Sequence, residues 1–444
     1  MDNSQVTSEL PEALRAIFVD KRLDELSQKY PGLVIYPARQ QENLANQCLL
    51  KTVSDQVWTT NLMGVVAVET GDSVEPTLLS VGSRFDAQPD GKANPAQPFL
   101  TYLLSQAFDG ALVNWPVTIA STQDFWELLL VFLYAHHLVK ACRQGMLKQY
   151  VSKRVNDYVL AGTLDVPQHL RQNVPFVGKV SQARRLYSRD NPTLWLIRAA
   201  NEHICRSRGA TFYSALLRQR NTLKECVEAV AYSTPSFDYR CVYDRVAECL
   251  RPVRHPYFRE FEPLRRTSLQ ILRRSGINLY RRGKPEVYGV LFDGAWLWEE
   301  FLSNALRAEG FQHPCEARIF RYSPRPMLKP DLVHKSQLCV LDAKYKHWKD
   351  REIEDFHQVL AYMYLLGARV GGVIHPVEVN NRRWALAGSD LEPREIALRD
   401  GKGFWLDVPF PVPQGCTNAR EFPEITELWR VRLSATLHPL LSHN

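Results

Sequence analysis

The chain has 444 residues, a mass of 51.1 kDa, 45% hydrophobic and 11% aromatic residues, and a formal net charge of +7. It is too apolar for a disordered chain and long enough for two to four domains. Apolar runs stop short of the roughly 18–20 residues that span a bilayer. The start, MDNSQVTSELPEAL, lacks the regions of a secretory signal, and nine cysteines without a CxxC do not read as a disulfide framework. A multidomain cytoplasmic protein without membrane segments is expected.

Residues 1–120 predict a small β-rich domain, with strand-like runs at Leu33–Tyr36, Met63–Glu69 and Leu78–Val81. Loop chemistry over Ala87–Gln97 leads into a short helix opened by Pro98. Residues 121–285 predict a mostly helical region. Its first helix covers Phe125–Tyr150, and helical patterns recur at Leu194–Arg206, Phe212–Tyr232, Tyr239–Leu250 and Phe261–Arg274. From Ser181 to Val290 there are 21 basic residues, 19 of them Arg, against 10 acidic ones. Arginine's planar fork suits phosphate oxygens, so this stretch is a candidate contact for a nucleic-acid backbone, although charge density alone favours a set of helices with solvated Arg faces. Its spacing of His203, Cys205, Cys226, Cys241 and Cys249 fits no zinc finger and reads as reduced thiols on helices. Residues 286–444 predict a helix at Leu291–Glu309, strands at Ala317–Arg321, Leu332–His334 and Leu338–Asp342, a helix at Asp350–Leu366, and a buried strand at Val370–His375. The fold class is α+β multidomain, ending in a compact α/β core.

The chemistry concentrates in that last region. Pro330-Asp331 is followed, ten residues on, by Asp342-Ala343-Lys344. Side chains alternate along a strand, so Asp342 and Lys344 share a face. Asp331 joins them if the turn around Lys335–Gln337 uses two or four loop residues; a three-residue loop places it on the other side. Two adjacent carboxylates call for a cation between them, and hard oxygen ligands suit Mg²⁺, with Mn²⁺ as a substitute. A lysine beside them can orient water or steady charge building on a phosphorus centre. Glu299, on the preceding helix, is within reach of that ion. Gln358 and Tyr362, at i and i+4 on the next helix, share a stripe with Asp355 and can hold a phosphate or tune the lysine.

Taken in order, these segments resemble the McrC subunit family of the McrBC modified-cytosine restriction systems, within the PD-(D/E)xK nuclease class. The matching pieces are Leu297-Trp298-Glu299, Pro330-Asp331, Asp342-Ala343-Lys344-Tyr345, Gln358 with Tyr362, and Gly371-Gly372 leading to Pro376. Upstream, Gly145–Tyr150, Leu160–Asp165 and Asp190–Asn201 resemble further family segments. Trp298 stands where the family carries Phe, and the first 120 residues match loosely. The resemblance implies that residues 286–444 hold a PD-(D/E)xK nuclease core. Asp331 and Asp342 would bind the metal with Glu299, Lys344 would be the catalytic lysine, and Gln358 and Tyr362 would support it.

The resemblance further implies an Mg²⁺-dependent DNA endonuclease subunit controlled by a separate, McrB-like hexameric AAA+ GTPase or ATPase, with the amino-terminal domain docking on that partner. The chain carries no GxxxxGK[ST] phosphate loop, so nucleotide hydrolysis must belong to another chain. One such site cuts one strand, so double-strand cleavage would call for two copies. The alternative is a non-catalytic docking and DNA-binding subunit that stimulates the AAA+ partner.

Overall fold

A computed structural model describes residues 1–6, 10–30, 32–37, 47–69, 77–86, 94, 97–108, 122–244, 246–274, 286–313, 317–318, 327–336, 338–350, 352–387, 391–399 and 403–442. Most of the expected 87–97 loop and residues 319–321 of the first expected C-terminal strand lie outside them. The chain is mixed α and β, with several sheets, and divides into two compact units. One unit is Met1–Phe125 together with Gly283–Asn444; the other is Trp126–Arg282.

The smaller unit is richer in strand than its sequence predicts. Its first helix, Thr122–Arg143, ends before the expected Tyr150 because the chain turns at Gly145, which has a φ of 83°. Beyond it the strands Gln149–Asp157, Thr163–Leu164 and Val180–Ser188 form an antiparallel sheet, while the helices Pro192–Ile204, Ala210–Gln219, Asn221–Ser233 and Phe261–Arg274 agree with the predicted pattern. The segment Asp124–Arg143 is long and apolar enough to cross a membrane, which the sequence reading did not expect. It is 78% buried inside the protein, as a core helix is. Tyr134 donates from its hydroxyl to the Ile197 carbonyl at 3.0 Å, tying this helix to the next long one. Cys205, Cys226 and Cys249 are free thiols.

The larger unit joins the two ends of the chain. Its four-stranded sheet has the order Gly32–Tyr36, Glu286–Asp293, Leu62–Glu69, Thr77–Val81. The strand Glu286–Asp293 therefore sits between amino-terminal strands, parallel to one and antiparallel to the other. This corrects two expectations. Leu291, predicted to open a helix, is fully buried in this strand, because EVYGVLFD is rich in β-branched and aromatic residues. The segments 1–120 and 286–444, read as separate domains, share one core in which Leu33, Ile35, Val66, Val287 and Leu291 pack together. The helix starts after the strand, at Gly294–Leu306, with the Asp293 carboxylate accepting from the Ala295 amide at 2.9 Å.

A six-stranded sheet follows. Its interior strands, Cys339–Ala343, Val370–Val379 and Phe404–Pro413, are parallel, and the flanking strands pair antiparallel. The helix Ile353–Leu366 makes the crossover between the first two parallel strands, with Val359, Tyr362 and Met363 turned toward Val340, Val373 and Trp405. Leu297, Trp298, Phe301, Leu302 and Leu306 are the buried face of the Gly294–Leu306 helix. Trp298 donates to the Ile374 carbonyl at 3.3 Å, and that oxygen also accepts from the Lys344 amide at 2.9 Å.

At the foot of that helix, space allows only glycine. A Cβ on Gly294 would lie 2.8 Å from the ring of Tyr345 and 3.1 Å from the Asn61 carbonyl. Tyr345 is buried, and its hydroxyl is bonded to Ser83 at 2.7 Å, so the ring has no room to yield. Gly294→Ala is expected to destabilise the larger unit by about 1–3 kcal/mol, read as a lowered midpoint in denaturant unfolding. An unchanged midpoint would show that the ring can move.

Candidate functional site

The strands Leu332–His334 and Cys339–Ala343 pair antiparallel, with Leu332 opposite Leu341 and Val333 opposite Val340. Continuing that register sets Asp331 directly across from Asp342. The turn therefore uses four loop residues, one of the two even cases that bring the carboxylates onto one face. Asp331 accepts a hydrogen bond from the Ala343 amide at 2.8 Å, which draws its carboxylate over the neighbouring strand. Asp342 is 1% exposed, and neither of its oxygens receives a hydrogen bond. Among the described residues it is ion-paired with Lys344, whose Nζ lies 2.7 Å from Oδ2.

Lys344 is held from three sides. Its ammonium donates to Gln358 Oε1 at 2.8 Å and lies 3.5 Å from Asp355 Oδ1. Gln358 in turn donates from Nε2 to the Tyr362 hydroxyl at 2.7 Å, which reaches the Lys329 carbonyl at 3.4 Å. Gln358, Tyr362 and Asp355 come from one helix, whose start is fixed by a capping box between Glu352 and Asp355. Burial works against charge on Lys344, but Asp342, then Asp355 and Asp331, outweigh it and hold its pKa above the ordinary lysine value. Lys344 is thus an ammonium donor, not a free base.

Glu299 faces the same cavity, of about 650 Å³, as Asp331, Asp342, Lys344 and Gln358. Burial, reinforced by Asp331, Asp293 and Asp342, raises its pKa to about 8. Burial and the Asp342 charge raise Asp331 to about 7, against the pull of the Ala343 amide and Lys344. Asp355 moves the other way: Lys346, the Glu352 amide and Lys344 overcome burial and lower it. Sequence reasoning missed Lys346, which pairs with Asp355 at 2.5 Å. Its signal was available, since Lys344 and Lys346 alternate along one extended segment.

All six residues singled out in the sequence meet in this part of the fold. The buried oxygens of Asp342, with Asp331 beside them and the Lys344 ammonium as their cation contact among the described residues, are of the hard type that suits a divalent cation. Among the described residues no three His, Cys, Asp or Glu side chains are grouped tightly enough to hold a metal together. Glu299 therefore stands near the aspartate pair as a carboxyl that keeps its proton up to about pH 8, without completing a three-carboxylate cluster.

The proton balance at Glu299 has a measurable sign. Between the ordinary carboxyl range and about pH 8 the folded chain keeps a proton there that the unfolded chain has released, so stability falls as pH rises through that window. Glu299→Gln in metal-free buffer is expected to raise the thermal midpoint by about 2 °C or more at pH 9 and to leave it unchanged at pH 4. An equal gain at both pH values would refute this electrostatic account.

Comparison with known proteins bears on the whole constellation. A family model described as "McrBC 5-methylcytosine restriction system component" matches residues 57–376. No curated protein matches the chain. Among solved structures, a half-complex from a tetradecameric assembly of Thermococcus gammatolerans McrB AAA+ hexamers with bound McrC is similar at 15% identity and a TM-score of 0.48, over 87% of this chain and 86% of that one. A cryo-EM structure of the Thermococcus gammatolerans McrBC complex is similar at 14% identity and a TM-score of 0.31, over 68% of this chain and 83% of that one. The family match spans well over half of the chain, from the amino-terminal sheet through the Asp331–Asp342–Lys344 hairpin to Pro376, and so the chain belongs to the McrBC 5-methylcytosine restriction-system component family.

Proposed function

We propose that this chain is the DNA endonuclease subunit of its restriction system, acting in the cytoplasm on phosphodiester bonds under the control of a separate AAA+ NTPase partner. The observation that carries the reading is the aspartate pair, half-buried Asp331 and buried Asp342, set across one strand pair with the Lys344 ammonium 2.7 Å from Asp342. Asp331 and Asp342 would hold Mg²⁺, or Mn²⁺ in its place. A divalent ion there would neutralise phosphate charge and make bound water more acidic.

The chain's own residues account for the rest. Lys344 is charged and fixed by Gln358 and Asp355, so it can donate to a non-bridging phosphate oxygen as negative charge builds there. Gln358, held by Tyr362, keeps that donor from swinging toward solvent. Water oxygen bonds to phosphorus as the bond to the 3′ oxygen breaks; the water gives up a proton to bulk solvent and the departing 3′ oxygen takes one from it. Asp355 would tie Lys346 to the same edge, adding positive charge for flanking phosphates. The partner is proposed because the family is a restriction-system component and this chain has no phosphate loop of its own.

The test is cleavage of plasmid by the purified chain in Mg²⁺ and in Mn²⁺, with and without an McrB-like AAA+ partner. Wild type is expected to cut in at least one condition. Asp342→Asn is expected to lose about a thousandfold or more of that rate while folding and binding the partner normally. Full-rate cutting by Asp342→Asn would overturn the assignment; no cutting by wild type in any condition would leave the docking-subunit reading in its place.

A further inference from the structure

The cavity that holds the aspartate pair has a second wall, and it comes from the other end of the chain. Asn3, Gln47, Lys51, Asn61 and Arg84 line it opposite residues of the 295–358 segment. Of the cations around the cavity, most are ion-paired within the protein. Lys344 pairs with Asp342 and Asp355, Lys346 with Asp355, and Arg84 is 8% exposed and bonded to the buried Asp2 at 2.7 Å. Lys51 forms no ion pair among the described residues, and it is exposed.

Lys51 is also rigidly mounted. It lies opposite Trp58 in the hairpin of Leu50–Val53 with Gln56–Thr59. On one side of it Leu50 is fully buried, and its carbonyl accepts from the Asp20 amide at 2.9 Å. On the other side Thr52 donates to Asp20 from its amide at 2.9 Å and from its hydroxyl at 2.7 Å. The same amino-terminal wall is bonded to the start of the Glu299 helix. Gly294 donates to the Asn61 carbonyl at 2.8 Å, and Gln47 Nε2 donates to Asp293 at 3.4 Å. The wall is therefore tied directly to the start of the helix that carries Glu299.

An unpaired ammonium on a rigid mount, facing two carboxylates across an open cavity, is suited to an anion that spans the gap. A polynucleotide strand is such an anion, with a phosphate at every step. We propose that the amino-terminal hairpin forms one side of the DNA cleft and that Lys51 is a positioning residue, binding a backbone phosphate next to the one at Asp331 and Asp342. The inference rests on the nuclease reading above and gives the amino-terminal segment a role in holding substrate, beyond any docking on a partner.

The test uses the full chain with its AAA+ partner, Lys51→Gln and Lys51→Arg, and a fluorescent DNA duplex as probe. Binding is measured in the Asp342→Asn background, so that no cleavage intervenes. Lys51→Gln is expected to weaken binding about fivefold at moderate salt and to lower the slope of log affinity against log salt by about one. Lys51→Arg is expected to restore both. With the carboxylates intact, the loss should fall on KM and not on kcat. Unchanged affinity and slope in Lys51→Gln, or an arginine variant no better than glutamine, would overturn the proposal. If wild type cuts no DNA at all, the binding arm still decides: a lowered slope keeps Lys51 as a phosphate contact and removes only the chemistry, whereas an unchanged slope removes both.

Discussion

Two carboxyl groups that repel one another are held side by side by the register of an antiparallel strand pair. Asp331 is drawn over Asp342 by the Ala343 amide, and Asp342 is buried to 1% exposure without a hydrogen-bond donor. Nothing in an ordinary hairpin requires that arrangement, which costs free energy wherever both groups are ionised. The neighbouring features offset that cost or make use of it. Lys344 supplies one positive charge at close range, Asp331 and Glu299 take up protons near neutrality, and the donor-less oxygens leave room for a cation.

The scaffold keeps the pair in place by sharing elements between distant parts of the chain. The strand Glu286–Asp293 completes the amino-terminal sheet and then hands directly to the helix that carries Glu299. The Ile374 carbonyl accepts from both Trp298 and Lys344, so the helix and the lysine are fixed to the same atom of the central strand. Tyr345, next to Lys344, is bonded to Ser83, and the Arg84 guanidinium lies 5.2 Å from its ring. The amino-terminal segment thus packs against the residue next to Lys344 through a ring contact and a short hydrogen bond.

The protonation of Lys344 narrows what the site can do. Three carboxylates around it keep the ammonium charged, so its part in any reaction is to donate to an oxygen and stabilise negative charge. The Gln358–Tyr362 relay supports that role by holding its direction. Acidic groups with raised pKa values and a lysine that stays charged make the site's charge sensitive to pH between about 7 and 8.

Much of the local chemistry was legible in the sequence because it is written at short range. Strand alternation puts Asp342 with Lys344, helical spacing puts Gln358 with Tyr362, and the ordered series of motifs carries the family resemblance. The loop parity that decides the position of Asp331 stayed open, because a turn length inside a polar run has no periodic signature; the four-residue turn settled it. The helix expected at Leu291 was misread because a fully buried strand is apolar on both faces and imitates a buried helix start. By itself the sequence determined residue types, spacings and the family. Tertiary structure alone decided that residues 3–84 wall the same cavity as residues 295–358, because pairing between strands more than two hundred positions apart leaves no local mark on either segment.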